Sequence, residues 1–172
     1  SSVHKMYASS FLSSAKIDRR YVGGLKSTYV QNYNKEFTEN ELLERMQISF
    51  KSILNFIQEF KPDIIGLSAL SDDYPLGLRI MEKVKHSYKD TPTIIGGVHA
   101  TIDPAGVIAE KCFDMVCVGE GEYVMLDIAK RIDEKKDFLN IKNLWVKNQD
   151  GSIHKNPVRA YEQNLDNFPM PD

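Results

Sequence analysis

Short apolar runs alternate with helix-like segments between Pro62 and Lys136. Each run is short and almost wholly apolar, which is typical of a strand covered on both faces. The three runs are 63–69, 93–95 and 115–118. Helix-like segments follow them at 75–88, at 103–110, where Asp103-Pro104 has the pattern of an N-cap and first helical residue, and at 123–132. Strands and helices that alternate with short links predict right-handed crossovers and a parallel sheet.

This alternation indicates an α/β protein. The expected architecture is a Rossmann-like, flavodoxin-like doubly wound parallel sheet in three layers, αβα. We expect residues 1–136 to form this domain and residues 137–172 to form a β-hairpin followed by a linker. The first 60 residues show the fewest sequence patterns typical of helices or strands, so their assignment to this domain rests on the least evidence.

The part before Pro62 contains one clear helical pattern. Thr38 and Glu41 have the spacing of a capping box, and apolar residues follow at helical spacing as far as Lys61. Residues 26–33 have the β-branched and aromatic composition of a strand. Residues 3–15 fit either a helix or a strand.

The last 36 residues no longer show the alternation of strand-like and helix-like segments. Segments 143–147 and 152–155 flank Asp150-Gly151, a pair favoured in a tight two-residue turn, and so predict a β-hairpin. Residues 156–172 contain three prolines and no periodic apolar stripe, which is typical of a linker.

The charge and hydropathy of the chain limit its expected partners and location. The chain of 172 residues has a net charge of −2 and no long cluster of Lys and Arg, so we do not expect nucleic acid as a partner. No apolar run is long enough for a membrane span and no secretory signal is evident, so we expect a cytoplasmic protein.

The spacing of Cys112 and Cys117 fits neither a disulfide framework nor a zinc site, and Cys117 is expected to be a small buried hydrophobe.

Candidate ligand contacts follow the predicted strands. In an open parallel sheet, ligands bind beyond the carboxyl ends of the strands, which here are followed by Ser68–Ser71, Gly96–His99 and Gly119–Glu122. Two glycines at a strand end either leave backbone bare for a bulky ligand or form a tight turn with positive φ. The Ser68 hydroxyl either bonds a ligand or bonds nearby backbone.

The third loop gives a weaker signal for a nucleotide cofactor. Gly119-Glu120-Gly121-Glu122 superficially resembles a dinucleotide fingerprint, but Val124 replaces the third glycine and a carboxylate stands where pyrophosphate would approach. We therefore disfavour a nicotinamide or flavin site, and expect the acidic residues to begin the next helix.

Taken together, these loops resemble a known family. Ser68-x-Leu70 followed by Gly96-Gly97 resembles the Ser-x-Leu and Gly-Gly parts of the cobalamin-binding domain motif. The stretches 61–68, 94–101 and 118–122 look like the version of that domain that precedes the barrel of cobalamin-dependent radical S-adenosylmethionine (SAM) enzymes. Residues 164–172 are similar to the stretch that leads into that barrel.

This resemblance implies cobalamin as the cofactor and a radical SAM barrel of the same polypeptide as the partner. The contacts that it implies are Ser68, Leu70, Ser71, Gly96, Gly97, Val98, His99, Gly119 and Glu120. It implies no catalytic residue and no metal ligand in this chain. The Cys-x-x-x-Cys-x-x-Cys that would hold a [4Fe-4S] cluster beside SAM is not present, so this chain is not expected to perform radical chemistry alone. The parent would be a methyltransferase or a ring-forming or oxidative enzyme.

Three roles remain open from the sequence. The chain lacks the Asp-x-His-x-x-Gly part of the cobalamin motif, whose histidine lies below cobalt. The first role is a module that orients the corrinoid, and the second is a domain that has lost the cofactor and serves docking or substrate access. A free-standing corrinoid shuttle is the third.

Two residues carry further expectations. A side chain at Gly97 should abolish corrinoid binding and leave the fold intact. His99 is expected to hydrogen-bond its loop or the periphery of the ligand, with cobalt ligation as the alternative. The remaining histidines, His4, His86 and His154, are expected to be solvated.

Overall fold

The computed structural model describes residues 39–164, with side chains described from Phe50 onward. The chain divides into two compact units; of the described residues, 62–164 belong to one unit and 39–61 to the other. The predicted strand at 26–33 and the undecided segment 3–15 lie outside the described residues.

In the second unit, a long helix α1 spans Glu39–Phe60 and confirms the helix predicted after the capping box. Phe50, Ile53 and Ile57 are buried and lie three or four residues apart, so they form one apolar face. Among the helices described here, this one included, none combines the length and apolar character needed to cross a membrane.

The other unit is built on a mixed sheet. Its elements are β1 (Ile65–Ser68), α2 (Tyr74–Ser87), β2 (Thr93–Gly96), α3 (Val98–Ile102), α4 (Pro104–Ala109), β3 (Met115–Cys117), α5 (Glu122–Asp133), β4 (Leu144–Lys147) and β5 (Ile153–Lys155). The strands lie in chain order; β1, β2 and β3 are parallel, and β4 and β5 continue the sheet antiparallel. The three predicted parallel strands and the predicted hairpin are confirmed.

Helices cover both faces of this sheet. Successive strand residues point to opposite faces, so Ile94 and Met115 share one face while Ile95 and Val116 share the other. The first pair forms a core with Val124 and Ile128 of α5. On the opposite face, Gly77 of α2 lies so close to Leu67 that an added Cβ would be 2.8 Å from its Cδ2 atom. The three-layer αβα arrangement is therefore confirmed.

Helix α3 was not predicted. It begins directly after Gly97, contains only five residues and ends at Ile102, so it is too short to produce a helical period in the sequence. Asp103 then caps α4, because its Oδ1 atom accepts a hydrogen bond from the backbone N–H of Gly106 at 3.0 Å. This confirms the N-cap predicted from Asp103-Pro104.

The turn of the hairpin differs from the prediction. The backbone N–H of Asn148 donates to the carbonyl of Ser152 at 2.8 Å, so the loop contains the three residues 149–151 and not two. Gly151 has φ of +83° and donates its N–H to the carbonyl of Asn148 at 3.0 Å. This is the three-residue hairpin loop in which glycine occupies the left-handed position.

Candidate cofactor site

The chain segments after β1 and β2 are joined by backbone hydrogen bonds. Ser68 lies opposite Gly96 in the register of the two strands. Beyond them, the N–H of Ala69 donates to the carbonyl of Gly96 at 3.1 Å, and the N–H of His99 donates to the carbonyl of Ala69 at 3.1 Å. The structure thus brings the first two predicted loops together at the carboxyl edge of the sheet.

Gly97 forms the tight turn in this junction. Its φ of +92° and ψ of −172° lie in a region that only glycine adopts readily. A Cβ here would be 2.7 Å from the carbonyl oxygen of Ala69 and 3.0 Å from the Ser68 hydroxyl. The expectation that a side chain at Gly97 would leave the fold intact is therefore wrong, because the space is already filled by backbone.

Gly96 has a different role. It is the last residue of β2, and among the described residues beyond its chain neighbours only the Cβ of Cys117 lies within 4 Å of a Cβ built on it, at 3.6 Å. Ser68, Gly96 and Cys117 lie side by side on one face, and the Ser68 side chain is exposed. The missing side chain of Gly96 therefore leaves space beside the Ser68 hydroxyl.

His99 is held by two contacts. Its Nδ1 atom lies 3.2 Å from the Oγ atom of Ser71, and its ring stacks on Tyr74 with 3.9 Å between centroids. Burial is the main cause that raises the pKa of Tyr74 to about 12, with the nearby Glu110 carboxylate adding to it, so the phenol stays neutral. The side-chain partner of His99 therefore lies in the first loop and not in its own, and a contact of His99 with the ligand stays a prediction.

Thr101 connects the second and third loops. Its hydroxyl donates to the carbonyl of Gly97 at 3.0 Å and accepts the N–H of Gly119 at 3.0 Å. No sequence pattern distinguishes this residue, since an exposed threonine in a short helix has no characteristic spacing. The available signal was its position in the stretch 94–101, which resembles the cobalamin-binding family.

The third loop is fixed from the hairpin side by Asn143. This residue is buried, has φ of +69°, and donates from Nδ2 to the carbonyl of Glu120 at 3.0 Å. The N–H of Val118 donates to the Asn143 carbonyl at 2.8 Å. Asn143 was predicted only as the start of a strand. An asparagine in the left-handed region before a strand is a signal visible only in the backbone conformation.

Apolar side chains are exposed near the same edge. Leu70 after β1 is 57% exposed, and Val98 and Ile102 on α3 are 52% and 71% exposed. Val98 and Ile102 are four residues apart and therefore lie on one face of α3. Ile102 was not among the predicted contacts. These side chains offer an apolar surface to a bulky ligand.

Both cysteines are buried free thiols. Burial is the main cause that raises the pKa of each thiol from 9.0 to about 12. The expected burial of Cys117 is confirmed, and it belongs to the core beside α5. Within residues 39–164 no group of three or more His, Cys, Asp and Glu residues is arranged to hold a metal ion.

The other predicted residues are distributed as follows. His86 is exposed, as expected, whereas His154 is half-buried and its Nε2 atom lies 3.2 Å from Oδ1 of Asn156; His4 lies outside the described residues. Glu122 is in the first turn of α5 as expected, whereas Glu120 lies in the loop before the helix, so only one of the two acidic residues begins it. A groove of about 450 Å³ lies between α4 and the hairpin, and none of the predicted contacts lines it.

Comparison with known proteins identifies the family. The family model of the B12-binding domain matches residues 25–129, which is more than half of the chain. The chain belongs to the B12-binding domain family. The resemblance noted from the loops is thereby confirmed, and the alternative of a domain without cofactor is not favoured.

Relatives of this B12-binding domain are much longer proteins. The chain is 27% identical over 125 residues to the uncharacterized methyltransferase PH0819 of Pyrococcus horikoshii, a match that covers 72% of this chain and 27% of that protein. The chain also resembles the solved structure of OxsB, a cobalamin-dependent SAM radical enzyme with aqua-cobalamin and SAM bound. The TM-score is 0.57 at 19% identity, and the match covers 65% of this chain and 16% of OxsB. Another is the radical SAM methyltransferase TsrM of Kitasatospora setae, with a TM-score of 0.56, 17% identity, and coverage of 63% of this chain and 21% of TsrM.

These likenesses establish the Rossmann-like fold. The B12-binding domain spans about a quarter or less of the length of each of these proteins.

Proposed function

We propose that this B12-binding domain holds cobalamin at the carboxyl edge of β1, β2 and β3, and that in a longer polypeptide it orients the corrinoid against a radical SAM barrel. The family match supports the cofactor, and the match to PH0819 supports a methyltransferase as the parent. A ring-forming or oxidative parent enzyme is the second candidate. The [4Fe-4S] cluster and SAM would belong to the barrel.

The observation that carries this proposal is the space at Gly96. Among the described residues beyond its neighbours, one Cβ atom alone approaches the position that a Gly96 side chain would fill. This is a cradle in which a ligand can approach backbone directly, beside the exposed hydroxyl of Ser68. This space and the Ser68 hydroxyl support a placement of the nucleotide tail of cobalamin at this position.

The exposed apolar residues fit the corrin ring. Leu70 and Val98 would contact the apolar face of the ring and lose their own exposed surface on binding. Ser71, His99, Gly119 and Glu120 would complete the site from the adjoining loops. When bound, cobalamin supplies a cobalt atom that can carry the group to be transferred. The chain itself would bind and orient the cofactor and exclude water from its covered face.

Titration with hydroxocobalamin tests this proposal. We expect the chain to shift the corrin absorption bands and to give a saturable heat of binding. Gly96→Leu fills the cradle and should weaken binding at least about tenfold, which is ~1.4 kcal/mol. Ser68→Ala removes only an exposed hydroxyl and should weaken binding by a smaller factor without affecting the fold.

The matched control is Gln149→Leu. Gln149 is exposed in the hairpin loop, and the register of β3 with β4 places that loop at the opposite edge of the sheet. This variant should bind like the wild type. Absence of binding by the wild type would overturn the proposed function. If Gly96→Leu and Ser68→Ala both bound cobalamin as tightly as the wild type, the placement of the site would be overturned.

We also propose the cytoplasm as the location. Both cysteines of the chain are free thiols, which agrees with a reducing compartment. Fractionation of cells that express the parent protein would test this, and recovery in an oxidising extracytoplasmic fraction would contradict it.

A further inference from the structure

The segment after β5 is fastened to the rest of the domain. We call residues 156–164 the strap; it has no regular secondary structure, as predicted, yet it is tied to both the hairpin and α5. Asn156 donates from Nδ2 to the carbonyl of Leu144 at 2.7 Å, and the carbonyl of Pro157 accepts the N–H of Asn143 at 3.0 Å. These bonds bring the strap alongside the third loop.

Arg159 is the main anchor of the strap. Its Nη2 atom donates to Oδ2 of Asp127 at 2.8 Å, with about a third of each side chain exposed. Its guanidinium also lies over the ring of Tyr123, 4.9 Å from the centroid. Tyr123 and Asp127 are four residues apart on α5 and lie on one face of this helix, so Arg159 contacts both at once. A guanidinium that is both paired with a carboxylate and stacked on a ring is held in one orientation.

The strap bonds to Glu120 by two routes. The backbone N–H of Arg159 donates to Oδ1 of Asn143, whose Nδ2 donates to the carbonyl of Glu120. The N–H of Glu162 donates to Oε2 of Glu120 at 3.3 Å. Glu162 is itself held by the Tyr123 hydroxyl, which donates to its Oε2 at 2.7 Å and whose pKa is raised by this bond.

We propose that Arg159 is a positioning residue for the cofactor site: by anchoring the strap, it holds the Gly119-Glu120 loop in the conformation that binds cobalamin. The proposal rests on the function proposed above. Arg159 acts through Asn143 and Glu162 and does not itself touch the cofactor. The coupling is reciprocal. If anchoring of the strap raises the affinity for cobalamin by a given factor, bound cobalamin must favour the anchored strap by the same factor.

The first measurement requires no cofactor. In Arg159→Ala without cobalamin, we expect the backbone amides of residues 118–121 to exchange hydrogen at least about threefold faster than in the wild type. Arg159→Lys keeps a charge for Asp127 and should recover part of the protection. Arg79→Ala is the matched control, since Arg79 is exposed on α2, and it should exchange like the wild type.

The second measurement uses hydroxocobalamin. Arg159→Ala should weaken binding about fivefold, and cobalamin should slow exchange at residues 158–162 of the wild type by a similar factor. If the wild type binds no cobalamin, the proposed function fails, and the exchange data without cofactor still decide whether Arg159 orders the loop. If the wild type binds and Arg159→Ala matches it in affinity and in exchange at 118–121, the positioning role is overturned.

Discussion

A Cβ atom at Gly97 would lie 2.7 Å from the carbonyl oxygen and 2.9 Å from the nitrogen of Ala69. Such distances are not found for real Cβ atoms, so the close approach of these two residues requires glycine. Because Ala69 follows β1 and Gly97 follows β2, this contact sets how the ends of the two strands meet. Gly97 therefore shapes the site, whereas Gly96 leaves it open.

Gly97→Ala and Gly96→Ala should differ sharply in stability. The first places a Cβ against backbone at a φ and ψ reserved for glycine, and should lower the free energy of unfolding by at least about 2 kcal/mol. The second meets only an ordinary contact with Cys117 at 3.6 Å and should cost less than about 1 kcal/mol. Urea unfolding followed by circular dichroism measures both, and equal losses would contradict the different roles of the two glycines.

Thr101→Val should lower the stability by about 1 kcal/mol, because it removes the hydroxyl that bonds to Gly97 and Gly119 and keeps the shape of the side chain. Thr101→Ser retains the hydroxyl and should behave more nearly like the wild type. The urea midpoints of the three proteins give the comparison. A midpoint for Thr101→Val equal to that of the wild type would show that water replaces both hydrogen bonds.

Asn143 offers a test in which glycine should be better tolerated than alanine. Both substitutions remove the side-chain bonds to Glu120 and Arg159, and we expect a loss of about 2–3 kcal/mol for Asn143→Ala. Asn143→Gly should lose less, because φ of +69° is unfavourable for alanine and free of strain for glycine. Unfolding in urea measures the difference, and a lower stability for Asn143→Gly than for Asn143→Ala would refute this reasoning.

The buried thiols predict a loss of stability in alkali. Burial raises the pKa of Cys112 and Cys117 from 9.0 to about 12, so above pH 9 the unfolded state releases protons that the folded state keeps. Their contribution is fully present below pH 9 and is lost as the pH rises toward 12. Each thiol contributes a slope of at most about 1.4 kcal/mol per pH unit over that range.

Urea unfolding at several values of pH between 8 and 11 measures this slope. The double variant Cys112→Ala and Cys117→Ala serves as the control, because it keeps every other titrating group. Its stability should fall less steeply with pH than that of the wild type, and parallel curves would exclude the thiols as the cause.

The periodicity of apolar residues by itself determined the layers of this protein. The described strands and all helices except α3 lie where the pattern predicts them, because burial on one or two faces demands that pattern in the sequence. Asp103-Pro104 likewise specifies a helix start through contacts within a few residues. Ser68 and Gly96 lie at the ends of two of these strands, so their proximity at one edge of the sheet was also predictable.

Only the tertiary structure decided which residues hold that site in shape. Asn143 meets Glu120, and Arg159 meets Asp127, across more than 20 residues of chain, and no local pattern encodes such pairings. The separate roles of Gly96 and Gly97 depend on the approach of Ala69 from another strand. Polar contacts of this kind arise once the sheet has assembled, because each needs only one suitable donor or acceptor at the right place and imposes no period on the sequence.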